Sequence, residues 1–565
     1  TYNMDLLENY LSIYPENLKY ILLDHQKFTF HDTPYKVLPR DDKYVIWDDK
    51  KMQLNALVHD DEKAALIASR ENDKNLVRTE NGRGVVVETS LFIKLISIIT
   101  NKIASLDPSG IGVEMETDKP NWYDALNGIP GLMGSSLSEA LEIKRHAVFL
   151  VDFLQNSTSL ETDISVFEEI ADFMETVKIL LHNEMGPFEY WDAATSLKEA
   201  YREKTVYGLS GKTRAIKISW LVEFLSACLT KIDEGVDKAW NGDGTIPYTY
   251  FTHRPTDYEV IEEIDENGRS RTKTNSKGFA CFRVKAFKRE TLPLFLEGPV
   301  HFLRTQPGYD VANKVTQQIR KSGLYDQRLN MYKVNESLAD QPMEIGRERT
   351  FSPGWFENES IWLHMEYKYM LEMLRNGLYE TFYEDFRHVF IPFLNPEVYG
   401  RSILENSSFL VSSANPNPGL HGTGFVARLS GATAEFIQIL MEMTVGSAPF
   451  SVARNGELTF SVKPVLPAWL FTKQTQNLHL TGEGKTQSVT LPEHSFSFML
   501  LGDILVTYLN PKMKNTYGTD GVSPTEWNLY DDAGNVQHVT GTNLNSDAAL
   551  LIRSKQIHRM EIVLN

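Results

Sequence analysis

Residues 1–240 place apolar side chains at the three- and four-residue spacing of amphipathic helices. Each such segment has a broad apolar stripe, which is typical of helices packed in a ring or a bundle. The predicted helices are residues 90–107, 135–155, 163–183, 188–206 and 212–236. We therefore expect residues 1–240 to form the first part of a helical domain.

The pattern changes at residue 241. Residues 241–305 alternate apolar and polar positions around the turn sequence "DENGRS", which predicts a β-rich insertion. Helical spacing returns over residues 306–449. The pattern of residues 450–565 predicts strands and turns, and hence a C-terminal β-sandwich. The later predicted helices are residues 309–323, 358–377, 378–390 and 430–445.

Composition narrows the class of protein. A chain of 565 residues exceeds the size of one hydrophobic core, and 42% hydrophobic residues exclude general disorder. The formal charge is −18 and no stripe of Lys and Arg stands out, so a nucleic-acid partner is not expected. The acidic balance is typical of a surface that keeps a protein in solution.

Cysteine usage and hydropathy indicate the compartment. Cys228 and Cys281 cannot build a disulfide framework, which predicts a reducing, cytoplasmic environment. The longest apolar stretches are interrupted by Lys and Ser and are too short to span a bilayer, so no membrane partner is expected. No signal peptide is visible at the start, where the sequence reads like the middle of a helical domain.

A first candidate loop is "DKPNWYDALNGIPGLMGSS", residues 118–136. The rings of Trp122 and Tyr123 could stack on sugar faces, and Asn127 could bind hydroxyl groups. Asp124 lies beside both rings, where loss of water would favour its protonated form, as a general acid requires. Alternatively, Asp124 is a surface residue that begins a loop, and the Trp122 ring packs against the protein with no role in sugar binding.

A second candidate loop is "SPGWFENESIWLHMEYKYM", residues 352–370. Trp355, Glu357 and Asn358 suit hydroxyl recognition, and His364 could meet an anion. Alternatively, Asn358 caps a helix whose first turn carries Glu, and His364 is a core residue.

A third candidate loop leads into "RLSGATAEFIQIL". Backbone N–H groups at Ser430 and Gly431, together with the positive end of a helix and Arg428, would hold a phosphate group. Alternatively, Ser430 is an ordinary helix cap and Arg428 forms a structural salt bridge.

Several common chemistries have no motif in the chain. The segment "NGRGVVVE" is not a phosphate-binding loop of the Walker type, and no G-x-G-x-x-G sequence follows a strand. Cys and His residues lack zinc spacing, H-E-x-x-H is absent, and G-x-S-x-G does not occur.

Taken in order, the three loops resemble the cellobiose-phosphorylase clan, which comprises glycoside hydrolase family 94 and its larger relatives, the β-1,3-glucan phosphorylases of families 149 and 161. "KPNWYDALNG" is similar to the family's "DWND" loop and implies that Asp124 is the single general acid. "ENESIWLH" is similar to "ENGG-x-F-x-H", which implies phosphate binding by His364 and sugar binding by Glu357. "RLSGATAEF" is similar to "TGTA" or "TGSA", which implies a second phosphate contact at Ser430 and Gly431.

The resemblance implies a mainly α fold, an (α/α)6 helical barrel with a β-rich insertion and a C-terminal β-sandwich. Fewer helices are readable than a complete barrel has, and Ser430 stands where threonine is usual. We therefore expect this chain to be the C-terminal part of a longer protein, whose remainder would supply further phosphate-binding arginines and help to close the site.

The implied function is an inverting glycoside phosphorylase that cleaves a β-linked gluco-oligosaccharide, with β-1,3-glucan as the best guess, to give α-glucose 1-phosphate. Phosphate is the co-substrate, no metal or organic cofactor is expected, and the family often forms homodimers. Two alternatives stay open. An inverting hydrolase would use Glu357 or Glu359 as its base, and a glycan-binding module would have no catalysis.

Overall fold

The structure is a computed structural model that describes residues 2–119, 123–427, 431–453, 455–482 and 485–565. The chain divides into two compact units. Unit 1 comprises residues 1–19, 367–393 and 429–565, and unit 2 comprises residues 20–366 and 394–428.

Unit 2 contains most of the helices that the periodicity predicts. Helix Leu91–Ile103 is typical: Ser90 accepts a hydrogen bond from the N–H of Ile93, and the apolar face behind this cap is buried. Within the described ranges, each helix of the chain is too short or too polar to cross a membrane. The longer helices of unit 2 are Asp61–Ala68, Leu91–Ile103, Leu137–Ser157, Glu168–Leu181, Pro187–Thr205, Ile218–Val236, Glu297–Arg304 and Tyr309–Ile319, and the short ones are Arg40–Lys43, Thr79–Gly82 and Pro396–Tyr399.

The strands of unit 2 form small, mainly antiparallel sheets. The largest has four strands in the order Phe282–Thr291, Tyr250–Val260, Ser135–Ser136 and Val113–Glu114. A three-stranded sheet joins Ile361–Trp362, Ser407–Leu410 and Gly424–Ala427. The remaining strands are Tyr35–Val37, Tyr44–Trp47, Lys50–Gln53, Leu57–His59, Asp163–Phe167, Thr213–Lys217, Glu262–Ile264, Ser270–Thr272, Tyr325–Asp326 and Met331–Tyr332.

Unit 1 is built around a five-stranded mixed sheet in which Ile504–Leu509 runs parallel to Ile557–Leu564. Helix Tyr2–Ile13 packs against strand Phe450–Val452, and the Arg553 guanidinium donates a hydrogen bond to the carbonyl oxygen of Ile13. The helices are Tyr2–Ile13, Leu363–Arg375 (from Tyr367 onward), Tyr379–Val389, Gly431–Thr444 and Ser546–Arg553. The strands are Phe450–Val452, Leu458–Ser461, Gln476–Gly482, Lys485–Leu491, Ser495–Leu500, Ile504–Leu509, Pro524–Asp531, Val536–Thr540, Asn543–Leu544 and Ile557–Leu564.

The prediction of a mainly α fold built as an (α/α)6 barrel is wrong. The chain is 39% helical and 25% strand, with many small sheets and no barrel among the described residues. Two predicted helices begin with strands, Asp163–Phe167 and Thr213–Lys217, which pair with each other before their helices start. Helical spacing identified the helices, but it carries no information on such long-range pairing or on how helices close into a ring.

One buried carboxylate fixes the strands that lead into and out of the first candidate loop. Asp107 accepts backbone hydrogen bonds from Ser109, Ile111 and Gly112, and its Oδ2 also accepts the hydroxyl hydrogen of Ser135 at 2.6 Å. Ser135 in turn lies in the strand that pairs with Val113–Glu114. Asp107 therefore sets the separation of the two ends of the loop.

Replacement of Asp107 by Asn should destabilise the chain by about 3 kcal/mol, because an amide nitrogen cannot accept hydrogen bonds and would oppose buried donors. Denaturant unfolding followed by circular dichroism would measure the change. The matched control is Asp243→Asn, an exposed position where the free energy of unfolding should stay within about 0.5 kcal/mol of the parent. Equal stability of the two variants would contradict the anchoring role.

Candidate active site

Tyr123 anchors the first candidate loop to the core of unit 2. Its ring is only 8% exposed and meets Phe295 edge to face, with 5.6 Å between ring centroids. Its hydroxyl donates to Oε1 of Glu348 at 3.3 Å and to the carbonyl oxygen of Glu357 at 3.2 Å. Tyr123 was predicted to stack on sugar, but here its ring packs inside the protein and positions Asp124, the next residue.

Asp124 begins a short 3-10 turn, Asp124–Leu126, and points outward. Its side chain is 73% exposed, and its Oδ2 lies 2.7 Å from Nη2 of Arg347, a side chain that is 51% exposed. The desolvated carboxyl that the sequence suggested is therefore not found, since Asp124 is an exposed carboxylate paired with a cation. Trp122, its predicted aromatic neighbour, lies outside the described residues.

Asn127 holds the segment that carries Arg347. Its Oδ1 accepts a hydrogen bond from the backbone N–H of Arg347 at 3.1 Å. Gly346, with φ of +127°, lies so close that a Cβ would meet this same Oδ1 at 2.5 Å. A Cβ at Gly128 would lie 1.9 Å from the carbonyl oxygen of Glu344, so the two segments meet backbone to backbone.

The second candidate loop supplies another carboxyl group to this surface. Burial raises the pKa of Glu357, the neighbouring charge of Asp124 raises it further, and the Arg347 guanidinium opposes the change. The Glu357 backbone is hydrogen-bonded to Tyr123, which precedes Asp124. Asp124 is paired with Arg347, so these residues lie in the same part of unit 2. We call Asp124, Arg347 and Glu357 the acid ledge.

A buried glutamate lies behind the acid ledge. Glu348 is fully buried, and its Oε1 accepts hydrogen bonds from the Tyr123 hydroxyl and from Nδ2 of Asn335. Asn335 also donates to the Glu357 carbonyl at 3.1 Å and accepts from the Glu359 N–H at 2.6 Å. Burial and the nearby Glu357 raise the pKa of Glu348 well above that of an ordinary glutamate, although the two hydrogen bonds oppose this rise.

Other predicted residues of the second loop have structural contacts. Trp355 is half-buried and packs against Phe409 and Phe425, at centroid distances of 5.3 and 4.6 Å. Nδ2 of Asn358 donates to the carbonyl oxygen of Phe351 at 2.8 Å, while its Oδ1 has no partner among the described residues. Asn358 is not a helix cap, because the helix begins at Leu363 after a short strand.

The predicted phosphate-binding residues fall in different parts of the chain. His364 lies in the first turn of helix Leu363–Arg375 and is half-buried. Gly431 is the first residue of helix Gly431–Thr444 and belongs to unit 1. Arg428 and Ser430 lie outside the described residues.

No protein-family model matches the chain, and no curated protein matches it. Among the residues that the structure describes, no three His, Cys, Asp or Glu side chains are grouped as a metal site would require.

Sequence reasoning missed Arg347, Glu348 and Asn335. Arg347 lies more than two hundred residues after Asp124, in the ordinary-looking segment "EIGRERTF". The sequence pattern that could have pointed to these residues is a glycine followed by charges of alternating sign. This pattern is too common in proteins to indicate a site. Their importance follows from tertiary contacts alone.

Replacement of Glu348 by Gln should flatten the pH dependence of stability. The pKa of Glu348 is higher in the folded chain than in the unfolded one. The folded chain therefore binds an extra proton above about pH 4.3, and its free energy of unfolding falls as pH rises, by at most about 1.4 kcal/mol per pH unit. The glutamine side chain would keep an oxygen that accepts the same hydrogen bonds. It does not titrate, so the variant should not show this fall in the free energy of unfolding with rising pH.

Urea unfolding between pH 5 and pH 8 tests this expectation. The Gln variant should lose less stability than the parent over this range, whereas the exposed control Glu71→Gln should follow the parent. Parallel curves for Glu348→Gln and the parent would show that Glu348 is ionised in the folded chain.

Proposed function

We propose that this chain is an inverting glycoside phosphorylase acting on a β-linked gluco-oligosaccharide, with β-1,3-glucan as the favoured substrate. The observation that carries the proposal is the pairing of one exposed carboxylate, Asp124, with one exposed guanidinium, Arg347. Phosphorolysis needs an acid for the leaving oxygen and a cation for phosphate, and it needs no catalytic base, because phosphate is already a nucleophilic anion.

The ion pair suggests how phosphate and acid would be coupled. A phosphate dianion is a strong bidentate partner for a guanidinium, and it would compete with Asp124 for Arg347. Asp124 would then lose its cation and gain a neighbouring negative charge, and both changes favour the protonated carboxyl. Phosphate binding would thereby prepare the acid.

In the proposed reaction, a phosphate oxygen attacks the anomeric carbon from the face opposite the glycosidic bond. The bond between that carbon and the leaving oxygen breaks, and Asp124 donates its proton to the leaving oxygen. Inversion of a β-linkage gives α-glucose 1-phosphate and an oligosaccharide shortened by one unit. The resemblance also assigns phosphate contacts to His364, Arg428, Ser430 and Gly431, and these assignments stay predictions.

The hydrolase alternative is less well supported, because one of its two proposed bases is already paired. Burial and the charge of Asp124 raise the pKa of Glu357, a direction that is compatible with a general base. Glu359 is buried and pairs with the Lys333 ammonium at 3.1 Å, so it is not free to activate water. The effect of the Asp124 charge on the pKa of Glu357 is the observation that keeps the hydrolase open as an outcome of the test.

The proposal includes a cytoplasmic location and a possible second copy of the chain as a partner. Cys228 and Cys281 are both free and buried, which suits a reducing compartment. Neither nucleic acid nor a membrane has a role in the proposed reaction.

Replacement of Asp124 by Asn should abolish phosphorolysis, with a loss of about a hundredfold or more in kcat, because Asn cannot give up a proton. The assay incubates the full chain with β-1,3-, β-1,4- or β-1,2-gluco-oligosaccharides, with and without phosphate, and measures glucose 1-phosphate and free glucose. Asp118→Asn, an exposed change six residues earlier, is the control and should keep activity.

Each outcome of this assay decides between the candidates. Glucose 1-phosphate formed only with phosphate supports the phosphorylase and identifies its linkage. Free glucose released without phosphate supports the hydrolase. Oligosaccharide binding without any product, measured by calorimetry, supports a non-catalytic glycan-binding module.

Replacement of Arg347 by Ala should raise the KM for phosphate about tenfold or more, because a charge-assisted bidentate contact is lost. The KM for oligosaccharide should change much less. Arg347→Lys keeps the positive charge but loses the planar guanidinium that binds phosphate through two hydrogen bonds. Its KM for phosphate should lie between those of the parent and the Ala variant. Equal rises in both KM values would contradict a specific role in phosphate binding.

A further inference from the structure

Unit 1 contains a cleft that has no part in the proposed reaction. Its volume is about 550 Å³, which lies within the range of ordinary small-molecule sites. The walls come from the end of helix Leu363–Arg375, the end of helix Gly431–Thr444, and the neighbouring strands and loops of the same unit. We call it the unit 1 cleft.

The charged side chains of the unit 1 cleft compensate one another. The Arg375 guanidinium lies 3.0 Å from the buried carboxylate of Glu372 and 3.3 Å from that of Glu442. Glu442 also accepts a hydrogen bond from the Ser447 hydroxyl at 2.8 Å. Lys463 is an exposed cation on the wall, so the two cations and the two carboxylates Glu372 and Glu442 are equal in number. The charges therefore cancel, and the cleft does not favour an ionic ligand.

Two tyrosine rings form an aromatic wall. The ring centroids of Tyr379 and Tyr517 are 5.4 Å apart, and Tyr517 stacks on Tyr383 with an interplanar angle of 5°. The hydroxyl groups of Tyr379 and Tyr517 make no hydrogen bond to another described residue. Burial raises the pKa of Tyr517 to about 12, so its hydroxyl remains a donor at neutral pH.

Further hydrogen-bonding groups lie on two paired strands. Ser461 and Asn543 are directly opposite each other in the antiparallel pair, so their side chains share one face. Both line the cleft, and neither side chain makes a hydrogen bond to another described residue. The cleft thus combines aromatic faces with unsatisfied hydroxyl and amide groups, without net charge.

We propose that the unit 1 cleft binds a short neutral saccharide, independently of Asp124 and Arg347. A sugar presents apolar C–H faces that pack on aromatic rings, and its hydroxyl groups both donate and accept hydrogen bonds. The Tyr379–Tyr517 wall and the Ser461–Asn543 pair offer the matching groups. Because Arg375 is already paired with Glu372 and Glu442, the cleft offers an anion little net attraction.

Protection from thiol labelling tests the proposal on the full chain. Both natural cysteines are buried, so a cysteine introduced on the exposed cleft wall, Thr542→Cys, should react selectively with iodoacetamide. The probes are cellotriose, laminaritriose, maltotriose and inorganic phosphate. At about ten times its Kd, a bound trisaccharide should slow labelling about tenfold, because only the free protein reacts.

Matched variants locate the binding site. Labelling of Thr475→Cys, an exposed position outside the cleft, should be insensitive to saccharide. Adding Asn543→Ala or Tyr517→Phe to Thr542→Cys should weaken protection at least threefold, whereas Asp124→Asn should leave it unchanged. These changes remove single groups or exposed side chains, so the fold should survive.

The result that would overturn the proposal is equal labelling of Thr542→Cys with and without every trisaccharide. Protection by inorganic phosphate alone would overturn it as well, because it would identify an anion site. The readout needs no turnover, so the absence of phosphorolysis would count against the proposed function and not against saccharide binding in this cleft.

Discussion

The buried carboxyl group of Glu348 joins segments that are far apart in the chain. Through its Oε1 it accepts hydrogen bonds from Tyr123 and Asn335, and both partners also bind the backbone carbonyl of Glu357. A buried polar group is stable only when it has partners, and a chain of such bonds in an apolar setting strengthens each member. The orientation of the acid ledge depends on this network, because Asp124 and Glu357 are anchored to it directly.

Apolar packing makes the network rigid. Tyr123 belongs to a core cluster with Tyr250 and Phe295, whose rings meet edge to face at a centroid distance of 5.0 Å. This arrangement is favoured by the charge distribution of aromatic rings. The exposed ledge therefore rests on a buried, close-packed support, which is what a site needs if its charged groups are to be held in place before a substrate arrives.

The local parts of this site could be predicted from the sequence, and its long-range parts could not. Glycines and short polar residues around Asp124 and Glu357 indicated loops, and apolar spacing identified helices such as Pro187–Thr205 almost to the residue. The sequence could not predict the partner of Asp124, because Arg347 meets it only when two distant segments pack together. The barrel prediction failed for the same reason, since strand pairing between distant segments decides how helices are arranged.

The discontinuity of unit 1 has a consequence for biosynthesis. All segments of unit 2 precede residue 429, so this unit can fold while the rest of the chain is still being made. Helix Tyr2–Ile13, by contrast, must wait for strand Phe450–Val452 and Arg553. At the usual rate of translation, the final segment of unit 1, residues 429–565, takes roughly 7 to 27 s to synthesise after unit 2 is complete. During that time helix Tyr2–Ile13 lacks the partners that strand Phe450–Val452 and Arg553 provide in the folded unit.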